Sequence, residues 1–459
     1  MNWKAVCAVG VGIVLIGMNA RAQVVIHPLP KELPGNSDFA VKVRTPGGSW
    51  QELSPITVQV DMHNVRDASL ATFDFAGLVE ISITLKHGLI QSARIRPLSY
   101  GIQPEIRSDT LAFTLAAPRD LSIEINGDQF HNLHLFTNPL ETNRPDANDP
   151  NVIYLQPGFH TFTNGLNVPS GKTLYLAGGA VVNGTIRCQN ATNVHIAGRG
   201  ISYQARRGVE VTMSTNVSIE GLIFVNPQHY TVYGGQSKQL TIKNIRAFSC
   251  KGWSDGIDLM SCCDALVDGV FMRNSDDCIA LYGHRWDFYG DVTNIVVRNS
   301  TLWADVAHPI LIGTHGDPAS PETLGNMTFT NLDILEHDEP QINYQGCLSI
   351  NVSDENRARD IRFENIRVED FAQGQLVNLR VTYNKKYAHA PGRGIENVLF
   401  KNITYDGSHA NISVISGFDE TRAVRNVTFE NLTVNGRMVS NSDAAHFSVG
   451  EHVENLEFR

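Results

Sequence analysis

Beyond its first residues the sequence lacks any apolar run near the ~20 residues that a membrane-spanning helix needs. It is short of positive charge, with 37 Lys and Arg against 47 Asp and Glu and a formal net charge of -10. An acidic surface excludes nucleic acid and anionic membranes as partners. None of its cysteines has zinc-ligand spacing. Residues 24 to about 145 show no helical period of useful length. With 42% hydrophobic and 18% charged residues, the chain is not disordered.

What is present begins with a leader. Lys4, the apolar run Ala5 to Met18 and Ala20-Arg21-Ala22 match the three regions of a signal peptide, assigned to residues 1–22. An exported protein, periplasmic or extracellular, with no membrane insertion is expected. Losing Lys4 and Arg21 takes the charge from -10 to -12. Six cysteines remain, at 188, 250, 262, 263, 278 and 347. A chain this long buries a large core without cross-links, so mostly buried free thiols are expected.

Residues 23–147 alternate apolar and polar with period two, as in Phe39-Ala-Val-Lys-Val43, Ile56-Thr-Val-Gln-Val60 and Val79-Glu-Ile-Ser-Ile-Thr-Leu85. Such strands predict an antiparallel β-sandwich with one wet face per sheet. Thr142 to Pro150 is a polar linker.

From residue 148 to 459 a different unit recurs: Asn/Asp/Gln, apolar, x, apolar, x, Gly/Asn. It runs from Asn193-Val-His-Ile-Ala-Gly198 through Asp264-Ala-Leu-Val-Asp-Gly269 and Asn397-Val-Leu-Phe-Lys-Asn402 to Asn455-Leu-Glu-Phe-Arg459. Successive starts lie 23, 23, 25, 30, 32, 34, 37, 29 and 29 residues apart. Such periods mark a solenoid, and strand-period residues between turn formers predict a right-handed parallel β-helix. The class is therefore all-β. Paired apolar positions point inward, and Asn or Gly occupies left-handed corners. Coils of 30–37 residues carry loops, where function concentrates.

One stretch carries the chemistry. The inward pairs Ile257/Leu259, Ile279/Leu281 and Ile310/Ile312 align three coils, with Asp255, Asp277 and His308 two residues ahead of each pair. Stacked rungs are ~4.8 Å apart, so these three form an outer column, with Asp276 beside it and Asp258 in the same patch. Crowded carboxylates cannot all ionise: one becomes an acid while a neighbour stays a base, the two roles that glycoside hydrolysis needs. The commoner origin of Asp-Gly and Asp-Asp is simply a turn; the column argues against that here.

These residues resemble the family 28 glycoside hydrolases, the polygalacturonases. Ser254-Asp-Gly-Ile-Asp258, the Asp276-Asp277 pair 21 residues beyond Asp255, and His308 stand for the family's three motifs. The resemblance covers about residues 150–459. It implies Asp276 as general acid, Asp255 and Asp277 handling the attacking water with inversion, His308 in support, and no cofactor or metal. The family's uronate-holding Arg-x-Lys is missing, with Ser349 and Asn351 in its place, which implies a sugar other than galacturonate. The sandwich in front is similar to the family 49 hydrolases, dextranases among them. Asp258, Trp253, His229, and His284, Arg285 and Trp286 of an insertion (Tyr282 to Gly290), together with Ser349, Asn351, Arg380 and Lys386, are the expected contacts to a polysaccharide or oligosaccharide. A polysaccharide lyase and a non-catalytic carbohydrate-binding solenoid are the alternatives.

Overall fold

The computed structural model describes residues 22–459; the expected leader, residues 1–22, lies outside them except for Ala22. The chain is all-β. Its only helical segments among the described residues are two single-turn 3-10 helices, Leu98–Tyr100 and Asp443–Ala445, so no helix is long and apolar enough to cross a membrane.

The repeat becomes a parallel β-helix. Every unit stacks on the next in register: Val194, Val217, Leu240, Ala265, Ile295, Met327, Ile361, Val398, Val427 and Leu456 form one inward column. The second apolar position ends in a Phe stack, Phe329, Phe363, Phe400, Phe429 and Phe458, with centroids 4.6–4.9 Å apart. All ten leading residues of the unit, Asn193 to Asn455, have φ between 52 and 60°. They sit there because a short polar side chain tolerates the left-handed region. Their amides also bond rung to rung, as in Asn326 to Asn294 (2.6 Å) and Asn426 to Asn397 (2.9 Å). A second parallel wall of 11 strands contains Ile257–Met260, Ile279–Tyr282, Ile310–Gly313 and Leu348–Val352. The six cysteines among the described residues are free thiols, and all but Cys263 are buried.

The N-terminal strands make two sheets around their own core of Val41, Phe73, Ile81, Ile123 and Leu133. Two expectations change. Strand Asp128–Pro139 pairs with Arg66–Ala76 in parallel, within otherwise antiparallel sheets. Nor does each sheet keep a wet face. The sheet built on Arg66–Ala76 is covered on both sides, because Ile56, Val58, Leu70 and Phe136 pack on the helix residues Val181, Ile201, Ile223, Phe271, Trp303 and Leu335. The alternation read as apolar and wet conceals polar residues that face the helix: Asn132 and His134 meet the fully buried Arg273, which also grips Asp305 through both carboxylate oxygens. Since the covered helix residues come from successive coils, the sandwich lies along the flank of the β-helix.

Candidate active site

The flank position matters because the next turn of each covered coil leads into the 11-stranded wall, and those turns carry the acids. Thr231, Gly256 and Cys278 donate their N–H groups to the carbonyls of Asp255, Asp277 and His308 (2.8 Å each), so Tyr230, Asp255, Asp277 and His308 occupy one register on four rungs. Gly256 is required beside Asp255: a Cβ there would meet the Cys278 carbonyl at 2.3 Å and the Asn274 side-chain oxygen at 2.7 Å.

Tyr230, Asp255 and Asp277 of the column face a cavity of about 440 Å³. Asp255, Asp276 and Asp277 open into it, each with a carboxylate oxygen within 4.8 Å of the others. Asp276 accepts N–H donors from Trp253 (3.0 Å) and Asp277 (3.1 Å). Burial, and then the charge of Asp277, nonetheless push its pKa up to about 7. Asp255 is raised well above the ordinary carboxyl value by burial and by Asp258, Asp276 and Asp277, and one of its oxygens has no hydrogen-bond partner. Asp277 is the best compensated. It accepts from the His308 N–H (3.1 Å), from His308 Nδ1 (2.7 Å) and from the Tyr282 hydroxyl (3.3 Å).

His308 does not face the cavity. It is fully buried behind Asp277 and spans from that carboxylate to the Tyr344 carbonyl, which Nε2 reaches at 2.5 Å. Both partners are acceptors, so both ring nitrogens carry protons. Burial opposes the charge, but Asp277 outweighs it and raises His308 to about 9. Near neutral pH a cation thus sits behind Asp277, bonded to its Oδ1. Asp258, expected in the outer patch, is fully buried, its oxygens without hydrogen-bond partners. Burial first, and then Asp277 and Asp276, push its pKa well up, with Arg285 opposing.

The expected sugar contacts divide. Trp253 (68% exposed), Arg285 and Lys386 line the cavity. Trp253 adopts φ 58°, an unusual conformation for a bulky residue, and its N–H is thereby presented to Asp276. Trp286 stacks on the outside of Tyr230 at 5.5 Å under Arg207, His229 packs against the same pair, and His284 lies beside Tyr289; none of these three lines the cavity. Ser349 and Asn351 are fully buried and bonded to each other at 2.5 Å, so they are not cleft residues. Arg380 is turned onto Asn343 at 3.2 Å. The cause is common to all: the wall outside these rungs carries its own apolar cluster of Tyr233, Met260, Tyr282, Leu311 and Tyr344, and the loops of the long coils fold back on it.

Sequence reasoning missed Met62, His63, Gln341 and Tyr344, which also line the cavity. Tyr344 and Gln341 come from a loop with no repeat signal. Met62 and His63 come from the sandwich, and nothing local in the sequence marks them.

The profile of the glycosyl hydrolases family 28 matches residues 169–452, well over half the chain. Two proteins named "Probable endopolygalacturonase D" are similar over 154 residues, that of Emericella nidulans at 25% identity and that of Neosartorya fischeri at 27%. The match covers 33% of this chain and only 27% and 29% of theirs. In fold, the chain is similar to Dex49A from Penicillium minioluteum, with a TM-score of 0.60 and 13% identity over 91% of this chain and 92% of that one. It is also similar to a family 28 exopolygalacturonase of Yersinia enterocolitica, with a TM-score of 0.51 and 12% identity over 88% and 98%.

Proposed function

The chain belongs to the glycosyl hydrolases family 28, and from that premise we propose that it is an exported hydrolase cleaving glycosidic bonds of a polysaccharide or oligosaccharide. The observation that carries the reading is the asymmetry within the acid cluster. Asp276, crowded by Asp277 and raised to about 7, can hold a proton near neutrality, while Asp277 accepts two hydrogen bonds from His308 and one from Tyr282.

In this reaction Asp276 gives its proton to the glycosidic oxygen as the bond from the anomeric carbon to that oxygen breaks. Water attacks the same carbon and passes a proton to Asp277. Two chain ends result, one of them reducing. Oxygens no more than 4.8 Å apart are bridged by one water making two hydrogen bonds of ~2.8 Å, so Asp255 and Asp277 can share the nucleophile. This spacing is tighter than the roughly 6.5–9.5 Å usual between acid and base in inverting enzymes. Inversion is therefore a point to measure, by following the first-formed anomer with proton NMR.

The substrate is other than plain polygalacturonate. The rung that carries Arg-x-Lys in family 28 carries Ser349 and Asn351, both sealed from the cleft. Lys386 donates to Gln341 at 2.8 Å. Arg285 supplies the remaining cavity cation, and it stands beside Tyr230 and Asp258. Reducing-end assays on dextran, other neutral glucans, polygalacturonate and substituted pectins test the reading. Release from a neutral or substituted polymer, with little from polygalacturonate, is expected; polygalacturonate as best substrate contradicts it.

One observation favours a lyase: three carboxylates close enough to hold a divalent cation, with Arg285 in the same cavity. Unsaturated products and loss of activity with chelator would establish that instead.

A further inference from the structure

The sandwich reaches the catalytic cleft at one place, the hairpin tip Asp61 to Val65 between strands Ile56–Val60 and Arg66–Ala76. We propose that this tip is a substrate-binding element, with Met62 and His63 contacting the sugar on the side of the cleavage point that faces the loop 337–346. The inference rests on the hydrolase reading for its substrate but not for its geometry.

Four observations carry it. Met62 and His63 line the same cavity as Asp255, Asp276 and Asp277. The tip is tied to the turns that bear the machinery: the Met62 N–H donates to Ser275 Oγ (3.0 Å), next to Asp276, and the Asp61 N–H to Asp305 Oδ2 (3.3 Å). Those anchors are rigid, since Ser275 is fully buried and Asp305 is clamped by Arg273 and by the indole N–H of Trp303 (2.8 Å). The tip is also shaped in advance. The Asp61 side chain accepts the N–H groups of His63 (3.0 Å) and Asn64 (3.2 Å), and Asn64 accepts from Arg66 (2.6 Å).

The direction follows from the coils involved. The tip's anchors lie on the Asp276 and Asp305 coils, and the coil after them supplies Glu339, Gln341 and Tyr344 to the cavity that Met62 and His63 line. Trp253 and Tyr230 stand on the coils before Asp276, so a sugar chain running along the cleft passes from the aromatics, over the acids, to the hairpin. A thioether suits the apolar face of a pyranose. An exposed imidazole suits its hydroxyls.

The test uses the full chain. Met62→Ala and His63→Ala are compared with the wild type on oligosaccharides of increasing length, taken from whichever polymer the wild type cleaves. KM is expected to rise about 5- to 10-fold for the longer oligosaccharides, the scale of one or two lost hydrogen bonds or contacts. kcat should stay within about threefold, and the melting temperature within about 1 °C, as for surface substitutions. Met62→Leu and His63→Gln should recover part of the loss. In parallel, the Asp276→Asn protein, with and without His63→Ala, is titrated with isomaltotriose and trigalacturonate by tryptophan fluorescence. Binding without wild-type turnover would end the hydrolase reading while leaving this inference to stand on the titration. Unchanged KM at every length, or the same affinity with and without His63→Ala, would overturn it, as would the absence of binding by either trisaccharide.

Discussion

A proton shared among crowded carboxyls decides what each residue of the cleft can do. Asp276, raised to about 7 by burial and by Asp277, is protonated below that value and ionised above it. A general acid must start protonated, so hydrolysis should fall as pH rises through about 7; a profile flat to pH 9 would remove Asp276 from the role. His308 works through Asp277. His308→Leu should strand a buried carboxylate, destabilising the protein by about 3–5 kcal/mol in denaturant melts. It should also lower kcat, since Asp277 would lose the Nδ1 donor that orients its carboxylate. The column itself was legible, because inward pairs at a fixed offset fix the register of Asp255, Asp277 and His308. Which of them meets solvent was not. That depends on the loops that bury Asp258 and on Tyr344, whose carbonyl draws His308 inward.

Each coil is an element that cannot close without a left-handed corner, and its leading Asn supplies one. Asn397, at φ 58°, donates to Asp360 (2.9 Å) and accepts from Asn426 (2.9 Å). Asn397→Ala should cost about 1–2 kcal/mol, combining the left-handed penalty with lost ladder bonds. Asn397→Gly should cost less, because glycine accepts the conformation freely. Equal losses for the two in thermal melts would show that the backbone corner is not the issue. The period, the corners and the inward stacks were all readable, since each repeats. The sandwich strands were readable one by one. Their pairing was not: the parallel pair Asp128–Pro139 with Arg66–Ala76 is long-range, and its polar residues serve an arginine of another coil.

The whole molecule is a β-helix with a second domain pressed along its flank, and its stability should reflect the acids held between them and in the cleft. Asp255, Asp258 and Asp276 have folded pKa values above their unfolded ones. A raised group contributes stability that is complete below its unfolded pKa and lost as pH rises through the folded value. His308, raised to about 9, acts in the same sense between about 6.5 and 9. The melting temperature should therefore be higher near pH 5.5 than near pH 9. Asp258→Asn, which removes an unpartnered buried carboxyl, should narrow that difference by stabilising the protein on the alkaline side. A melting temperature that rises toward pH 9, or one that Asp258→Asn leaves unaltered at both ends, would contradict the electrostatic account. At this scale the sequence showed two domains' worth of pattern but not their contact. The hairpin that carries Met62 and His63 into the cleft reads as an ordinary turn until the flank packing is known.

The most direct measurement of the central claim is hydrolysis by Asp276→Asn on the polymer that the wild type cleaves best, followed by reducing ends, with binding measured on the same protein. The account predicts a loss of kcat of about 10²- to 10⁴-fold, the usual contribution of a general acid, with saccharide affinity kept. Full activity in that variant would contradict it.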